Sequence, residues 1–170
     1  DAGANGIVVP LIKSAEEAKK AIKYSLYPPI GERGVNSLAR AQGYGFEFKK
    51  YLEKVNKKIK VIAQIEHIDA INELENILKV NNLYGTIIGP YDLSASLGFP
   101  GDYKNINVKN AINKYEKITS KYKLKKGYHV IEPNIAEVKN KIKKGYDFIA
   151  FSWDTYFLGK ICRDQLNQLN

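Results

Sequence analysis

Lys60-Val61-Ile62-Ala63-Gln64-Ile65-Glu66 is an apolar run that ends in an amide and a carboxylate. Side chains alternate along a strand, so Gln64 and Glu66 share one face while Ala63 and Ile65 share the other. Hiding a carboxylate is costly unless it is paired, hydrogen-bonded or bound to a metal. A buried strand with no other reason to finish in polar groups must therefore present them to something. We read Glu66 as a metal ligand at the mouth of a β/α barrel, where parallel barrels carry their working groups.

Outward from this strand the chain repeats one unit. Upstream, residues 6–10 form a β-branched run closed by Pro10, and Ser14 with Glu17 makes a capping box that opens a helix through about residue 24. Residues 27–45 are dense in turn formers and read as a long loop. Residues 46–56 are expected to be helical, with Phe48, Leu52 and Val55 on one face. Downstream of the strand at 59–65, Ile68, Ile71, Leu74 and Leu78 form a helical stripe. Further strands are expected at 85–89, 128–131 and 148–152, with helices at 108–122 and 135–144 and a closing helix that includes Tyr156, Leu158 and Ile161.

Five strands that alternate with helices imply a parallel sheet, either doubly wound or closed as a barrel. Five units are too few to close a (β/α)8 barrel. Residues 1–6 read as a helix end and a turn into a strand. The expectation is therefore a single C-terminal portion, residues 1–170, of a TIM-barrel domain whose first strands precede Asp1.

The composition is that of a globular chain: 44% hydrophobic and 26% charged over 170 residues. A net charge of +9 would suit an anionic partner, but the lysines are spread along candidate helices and read as a solvated surface. No aromatic-interleaved basic signature for nucleic acid is present, and no apolar run is long enough for a membrane span. The single cysteine, Cys162, cannot form an internal disulfide, which favours a reducing, cytoplasmic setting.

Three strand ends carry polar groups: Gln64 and Glu66; Gly89-Pro90-Tyr91-Asp92; and Ser152-Trp153-Asp154. Carboxylates from neighbouring strands, Glu66 and Asp92, make a site for a hard cation such as Mg2+ or Mn2+, with positions left for water and an oxyanion. Gly89 and Pro90 would bring backbone close to that ligand. The plainer alternatives are an ion pair between Glu66 and Lys60 and a helix cap at Asp92. Arg33 either clamps a carboxylate or fixes its own loop. His67 reads as a surface or capping residue, His129 as a core or interior-facing histidine, and Ser152 and Asp154 as a strand-end hydroxyl and a helix cap. There is no nucleophile elbow or P-loop.

Four motifs in register, residues 27–34 (Tyr27-Pro28-Pro29 through Arg33-Gly34), Gln64-Ile65-Glu66, Gly89-Pro90-Tyr91-Asp92-Leu93-Ser94 and Gly127-Tyr128-His129-Val130, resemble the HpcH/HpaI aldolase and citrate lyase family. The resemblance runs nearly to Leu158. It implies a modified TIM barrel that cleaves or forms 4-hydroxy-2-oxo acids through a metal-bound pyruvate enolate, with an aldehyde as second substrate and a homo-oligomeric state. By the same resemblance Glu66 and Asp92 ligate Mg2+, Mn2+ or Co2+, and Gln64 lines the pyruvate pocket. The backbone of Gly89, Pro90, Tyr91 and Asp92 holds the substrate carboxylate, and Gln64 and Arg33 are the candidate catalytic side chains. The family's catalytic arginine and histidine come from early strands that this chain lacks, so these residues taken alone are expected to be inactive. The residue between Pro90 and Asp92 is often small in the family, and here it is Tyr91. A citryl- or malyl-CoA-type lyase, or a non-catalytic segment serving binding or assembly, are the competing readings.

Overall fold

The computed structural model describes residues 1–169. The chain forms two compact units, one of residues 1–124 and one that begins at Lys125.

In the first unit β1 (Gly6–Val9) is followed by α1 (Ala15–Ser25). Ser14 Oγ accepts the Glu17 N–H at 3.2 Å, and the Glu17 carboxylate accepts the Lys13 N–H at 2.6 Å, so the helix start is tied from both sides. Then come α2 (Phe48–Lys58), β2 (Lys60–Ile65), α3 (Ile68–Asn72), α4 (Leu74–Leu78), β3 (Gly85–Ile88), α5 (Pro90–Ser96) and α6 (Ile106–Thr119). β2 lies between β1 and β3 and is parallel to both, with Val9 opposite Ala63 and Ile65 opposite Ile88.

The register explains the alternation in β2. Val61, Ala63 and Ile65 are buried, as are Ile71, Leu74 and Ile77 of the helices that follow. α1 packs on β2 and α4, and α4 on α6. Each such Leu or Ile contributes roughly 1.5–3 kcal/mol by leaving water. The opposite face of β2 carries Ile62 and Gln64, both partly exposed. Within the core, the Tyr115 hydroxyl meets Thr86 Oγ1 at 2.9 Å and donates to the Thr86 carbonyl at 3.2 Å, which satisfies the polar tip of that ring.

Some boundaries differ from expectation. The stripe from Ile68 to Leu78 is broken into α3 and α4 at Glu73 (φ −91°, ψ 5°), yet Ile71, Leu74 and Leu78 stay buried across the break. α2 starts two residues late because Gly45 adopts φ +97° and Phe46 is left 96% exposed.

The second unit contains β4 (Lys125–Val130), α7 (Ile135–Lys143), β5 (Phe148–Phe151) and α8 (Asp154–Leu166). β4 and β5 are parallel, with Gly127 opposite Phe148 and Val130 opposite Phe151. A Cβ at Gly127 would collide with the Phe148 ring, so only glycine fits there. β4 begins three residues before its expected start, and the second of its lysines is not a surface residue of the usual kind. Lys126 is buried with its ammonium 4.6 Å from the centre of the Tyr146 ring, while Lys141 of α7 lies 3.5 Å over Tyr128. In both units every strand leads into a helix and the described pairings within each unit are parallel, the pattern of (β/α) barrel units, five in all.

Candidate metal centre

Glu66 follows directly on β2 and is 4% exposed. Its carboxylate is held at both oxygens. Oε1 accepts the Leu11 N–H at 2.8 Å, and Oε2 accepts Gln64 Nε2 at 2.6 Å. Leu11 lies two residues past β1 with φ 53°, a left-handed conformation that is uncommon for a leucine. Its backbone N–H is what holds the carboxylate.

Gly89 lies just past β3, and a Cβ there would stand 2.8 Å from Glu66 Oε2 and 3.1 Å from Gln64 Nε2. Glycine is therefore needed to seat the carboxylate. Pro90, at the first position of α5 with its φ already suited to a helix, starts the turn that carries Asp92. Burial pushes the Glu66 carboxyl above the ordinary range; the Leu11 N–H and Gln64 amide pull it back, and the neighbouring Asp92 carboxylate pushes it up again. A like-charged pair with one member buried asks for a cation.

The donor set fits a hard divalent ion. Each Glu66 oxygen spends one acceptor position on its protein donor and keeps another. Among the described residues no group of three or more His, Cys, Asp or Glu converges anywhere. Two carboxylates completed by water and substrate oxygens suit Mg2+ or Mn2+, whereas a structural zinc site would need four N or S ligands.

Gln64, Glu66, Gly89, Pro90, Tyr91 and Asp92 are thus brought together at the C-terminal ends of β2 and β3. The plainer alternatives fail for both carboxylates. Lys60 places its ammonium 4.8 Å over the Tyr84 ring, and α5 has Gly89, not Asp92, at its cap position with no side-chain cap bond.

Arg33 does not join the site. Its Nη2 donates to Asp1 Oδ1 at 2.6 Å and its guanidinium lies 4.3 Å over the Tyr27 ring. Asp1 precedes β1 and Tyr27 follows α1, so these contacts sit at the N-terminal ends of the strands, opposite Glu66. Of its two possible roles Arg33 takes the loop-fixing one, and it is not a catalytic side chain of this centre.

His67 caps α3, its Nδ1 accepting the Asp69 N–H at 3.2 Å. His129 is partly buried, with its ring edge-on to Trp153 at 5.9 Å. Asp154 Oδ1 accepts the Thr155 N–H at 2.8 Å at the start of α8, and Ser152, just past β5, adopts φ 52°. Two supports had no signature in the sequence. One is the Leu11 N–H. The other is a pair of serines in α5: Ser94 Oγ donates to the Tyr91 carbonyl at 2.6 Å and accepts the Gly101 N–H at 2.8 Å, while Ser96 Oγ accepts the Ile68 N–H at 3.0 Å.

With this geometry established, comparison with known proteins is decisive. Residues 1–159 match the HpcH/HpaI aldolase/citrate lyase family. The chain belongs to this family. It is 34% identical over 156 residues to the 2-keto-3-deoxy-L-rhamnonate aldolase of Klebsiella pneumoniae, covering 91% of the chain and 57% of that protein. With the 4-hydroxy-2-oxo-heptane-1,7-dioate aldolase of Shigella flexneri it shares 35% identity over 161 residues, covering 94% of the chain and 59% of that protein. Among solved structures it superposes with a TM-score of 0.89 and 27% identity on an HpcH/HpaI aldolase/citrate lyase family protein from Burkholderia cenocepacia, covering 98% of this chain and 65% of that one. The HpcH/HpaI fold assigned here is thus an incomplete (β/α) barrel, and the chain spans 57% to 65% of the length of these relatives. No helix among the described residues is long and apolar enough to cross a membrane.

Proposed function

We propose that this chain forms the metal-holding part of a carbon–carbon lyase that cleaves or forms 4-hydroxy-2-oxo acids, with pyruvate and an aldehyde as the small-molecule partners. The observation that carries the reading is a buried Glu66 carboxylate facing a second carboxylate, Asp92, at adjacent strand ends. Glu66 and Asp92 hold the cation, Mg2+, Mn2+ or Co2+. When bound, such an ion withdraws electron density from the keto group of a 2-oxo acid and so favours breaking the bond beyond C3.

The remaining roles belong to the chain itself. Gln64 spends one amide hydrogen on Glu66 and keeps a second for a substrate oxygen. Leu11 fixes the carboxylate from the other side, so that Glu66 does not need to reorganise as the substrate arrives. Gly89 and Pro90 keep the backbone low beside the pair, and the backbone at Tyr91 and Asp92 receives the substrate carboxylate. The relatives named above are both aldolases of 2-oxo acids by name, which supports this reading. Exposed apolar residues of α8, Leu158, Ile161 and Leu166, agree with a homo-oligomer, and one exposed thiol, Cys162, with a reducing cytoplasm.

The deciding experiment measures pyruvate release from 4-hydroxy-2-oxo acids with Mn2+ and with chelator, in the full-length protein and in its Glu66→Gln variant. Metal-dependent release that falls at least about 100-fold in the variant is expected, the scale on which loss of electrostatic stabilisation acts. Unchanged release in Glu66→Gln would overturn the metal role. Turnover of CoA thioesters in place of free 2-oxo acids would assign the chain to a citryl- or malyl-CoA-type lyase.

A further inference from the structure

Two exposed residues with large side chains adjoin the carboxylate pair through the backbone. Leu11, whose N–H holds Glu66, is 54% exposed, and Tyr91, the residue before Asp92, is 49% exposed. The strand order puts them on opposite flanks: Leu11 follows β1 and Tyr91 follows β3, with Glu66 at the end of β2 between them.

The Tyr91 ring has a built seat. A Cβ on Gly101 would lie 3.3 Å from Tyr91 Cε2, so the ring rests on bare backbone where Gly101 adopts φ +77°. Ser94 Oγ clamps the same two residues, donating to the Tyr91 carbonyl and accepting the Gly101 N–H. A ring already held in place loses little conformational freedom when a ligand covers it.

The charge at the strand exits that bear the pair is one-sided. The segments that leave the three strands, residues 10–11, 66–67 and 89–92, contain two carboxylates and no lysine or arginine. Their one imidazole, His67, is engaged with Asp69. A ligand tail ending in a second carboxylate would meet no cation from these segments, and a polyhydroxylated tail would lose water against leucine and tyrosine without regaining its hydrogen bonds. An apolar or aromatic tail loses nothing and buries its surface.

We propose that Tyr91, with Leu11 on the opposite flank, makes this site select 2-oxo acids whose tail beyond C4 is apolar or aromatic over those with acidic or polyhydroxylated tails. The inference rests on the reading of Glu66 and Asp92 as metal ligands for a 2-oxo acid, and it assigns Tyr91 the part of a specificity-determining residue.

The test uses binding, so that it does not depend on turnover. Calorimetry in Mn2+ compares pyruvate, 2-oxo-4-phenylbutanoate and 2-oxoglutarate on the protein and on Tyr91→Ala, Tyr91→Phe and Leu11→Ala. The phenyl ligand is expected to bind about tenfold more tightly than 2-oxoglutarate, about 1.4 kcal/mol. Tyr91→Ala is expected to remove that preference, weakening the phenyl ligand more than pyruvate or 2-oxoglutarate, Tyr91→Phe to keep it, and Leu11→Ala to reduce it severalfold. Tighter binding of 2-oxoglutarate, or equal weakening of all three ligands in Tyr91→Ala, would overturn the proposal while leaving the metal site standing. Absence of Mn2+-dependent pyruvate binding would overturn the underlying reading, and this proposal with it.

Discussion

Gly89 serves the candidate centre by what it lacks. Glu66 Oε2 and Gln64 Nε2 occupy the space where its Cβ would be, at 2.8 and 3.1 Å, and neither is the free end of a flexible chain, since each is hydrogen-bonded to the other at 2.6 Å. Gly89→Ala is therefore expected to displace the carboxylate, weaken Mn2+ binding at least about tenfold by calorimetry, and cost about 1–3 kcal/mol in urea denaturation, as overpacking does. Mn2+ affinity unchanged in this variant would show that Glu66 does not hold the ion from the position seen. At this scale Gln64, Glu66, Gly89 and Asp92 were legible because residue type carries the signal: a carboxylate has no business at the end of an apolar strand without a partner. Leu11 was not legible, since it contributes a backbone N–H and any residue has one. Arg33 was half legible: its charge announced a partner, but that partner is Asp1, 32 residues away in sequence.

The elements of the second unit show how charged residues can conceal a strand. Lys125 and Lys126 open β4, where alternation of apolar residues fails to mark them. What holds them is Asp147, just before β5: Lys125 Nζ donates to Oδ1 at 2.7 Å and the Lys126 N–H donates to Oδ2 at 2.8 Å. The Lys125 hydrogen bond, followed by that of the Lys126 backbone, holds the Asp147 carboxyl below its ordinary value. The sign follows from linkage. The unfolded state binds the proton more readily, so the contribution is complete above the ordinary carboxyl value of 3.8 and is lost as pH falls through the lower folded value. Asp147→Ala is expected to cost about 1 kcal/mol at pH 6, a typical net hydrogen-bond contribution, and progressively less as the pH falls below 3.8 through the lowered folded value. Urea midpoints measured across that range check it, and a cost that persists unchanged into acid would contradict the assigned pairing. α3 and α4 teach the complementary lesson. Their apolar spacing from Ile68 to Leu78 was legible as one helix because burial continues across Glu73, while the break itself is a backbone event that no side chain advertises.

For the whole molecule, the alternation of five strands with helices was enough to place it among parallel β/α folds, and the four spaced motifs narrowed that to the HpcH/HpaI aldolase and citrate lyase family, which residues 1–159 match. The same organisation concentrates an electrostatic deficit. A chain of net charge +9 keeps two carboxylates together at one end of β2 and β3, one of them 4% exposed. The folded state carries that cost and the unfolded chain does not, so a cation that binds only the folded pair returns stability by mass action. At 100 times its Kd, Mn2+ is expected to add about 2.7 kcal/mol, which for a chain of this size corresponds to a rise in Tm of roughly 5–10 °C. Thermal denaturation with Mn2+ and with chelator measures the rise, and Glu66→Gln separates its sources. If the carboxylate pair is the site, the variant loses the shift while its Tm in chelator stays within a few degrees of the parent. If the shift survives in Glu66→Gln, the stabilising ion is held elsewhere on the chain, and the centre at the ends of β2 and β3 is not what recognises it.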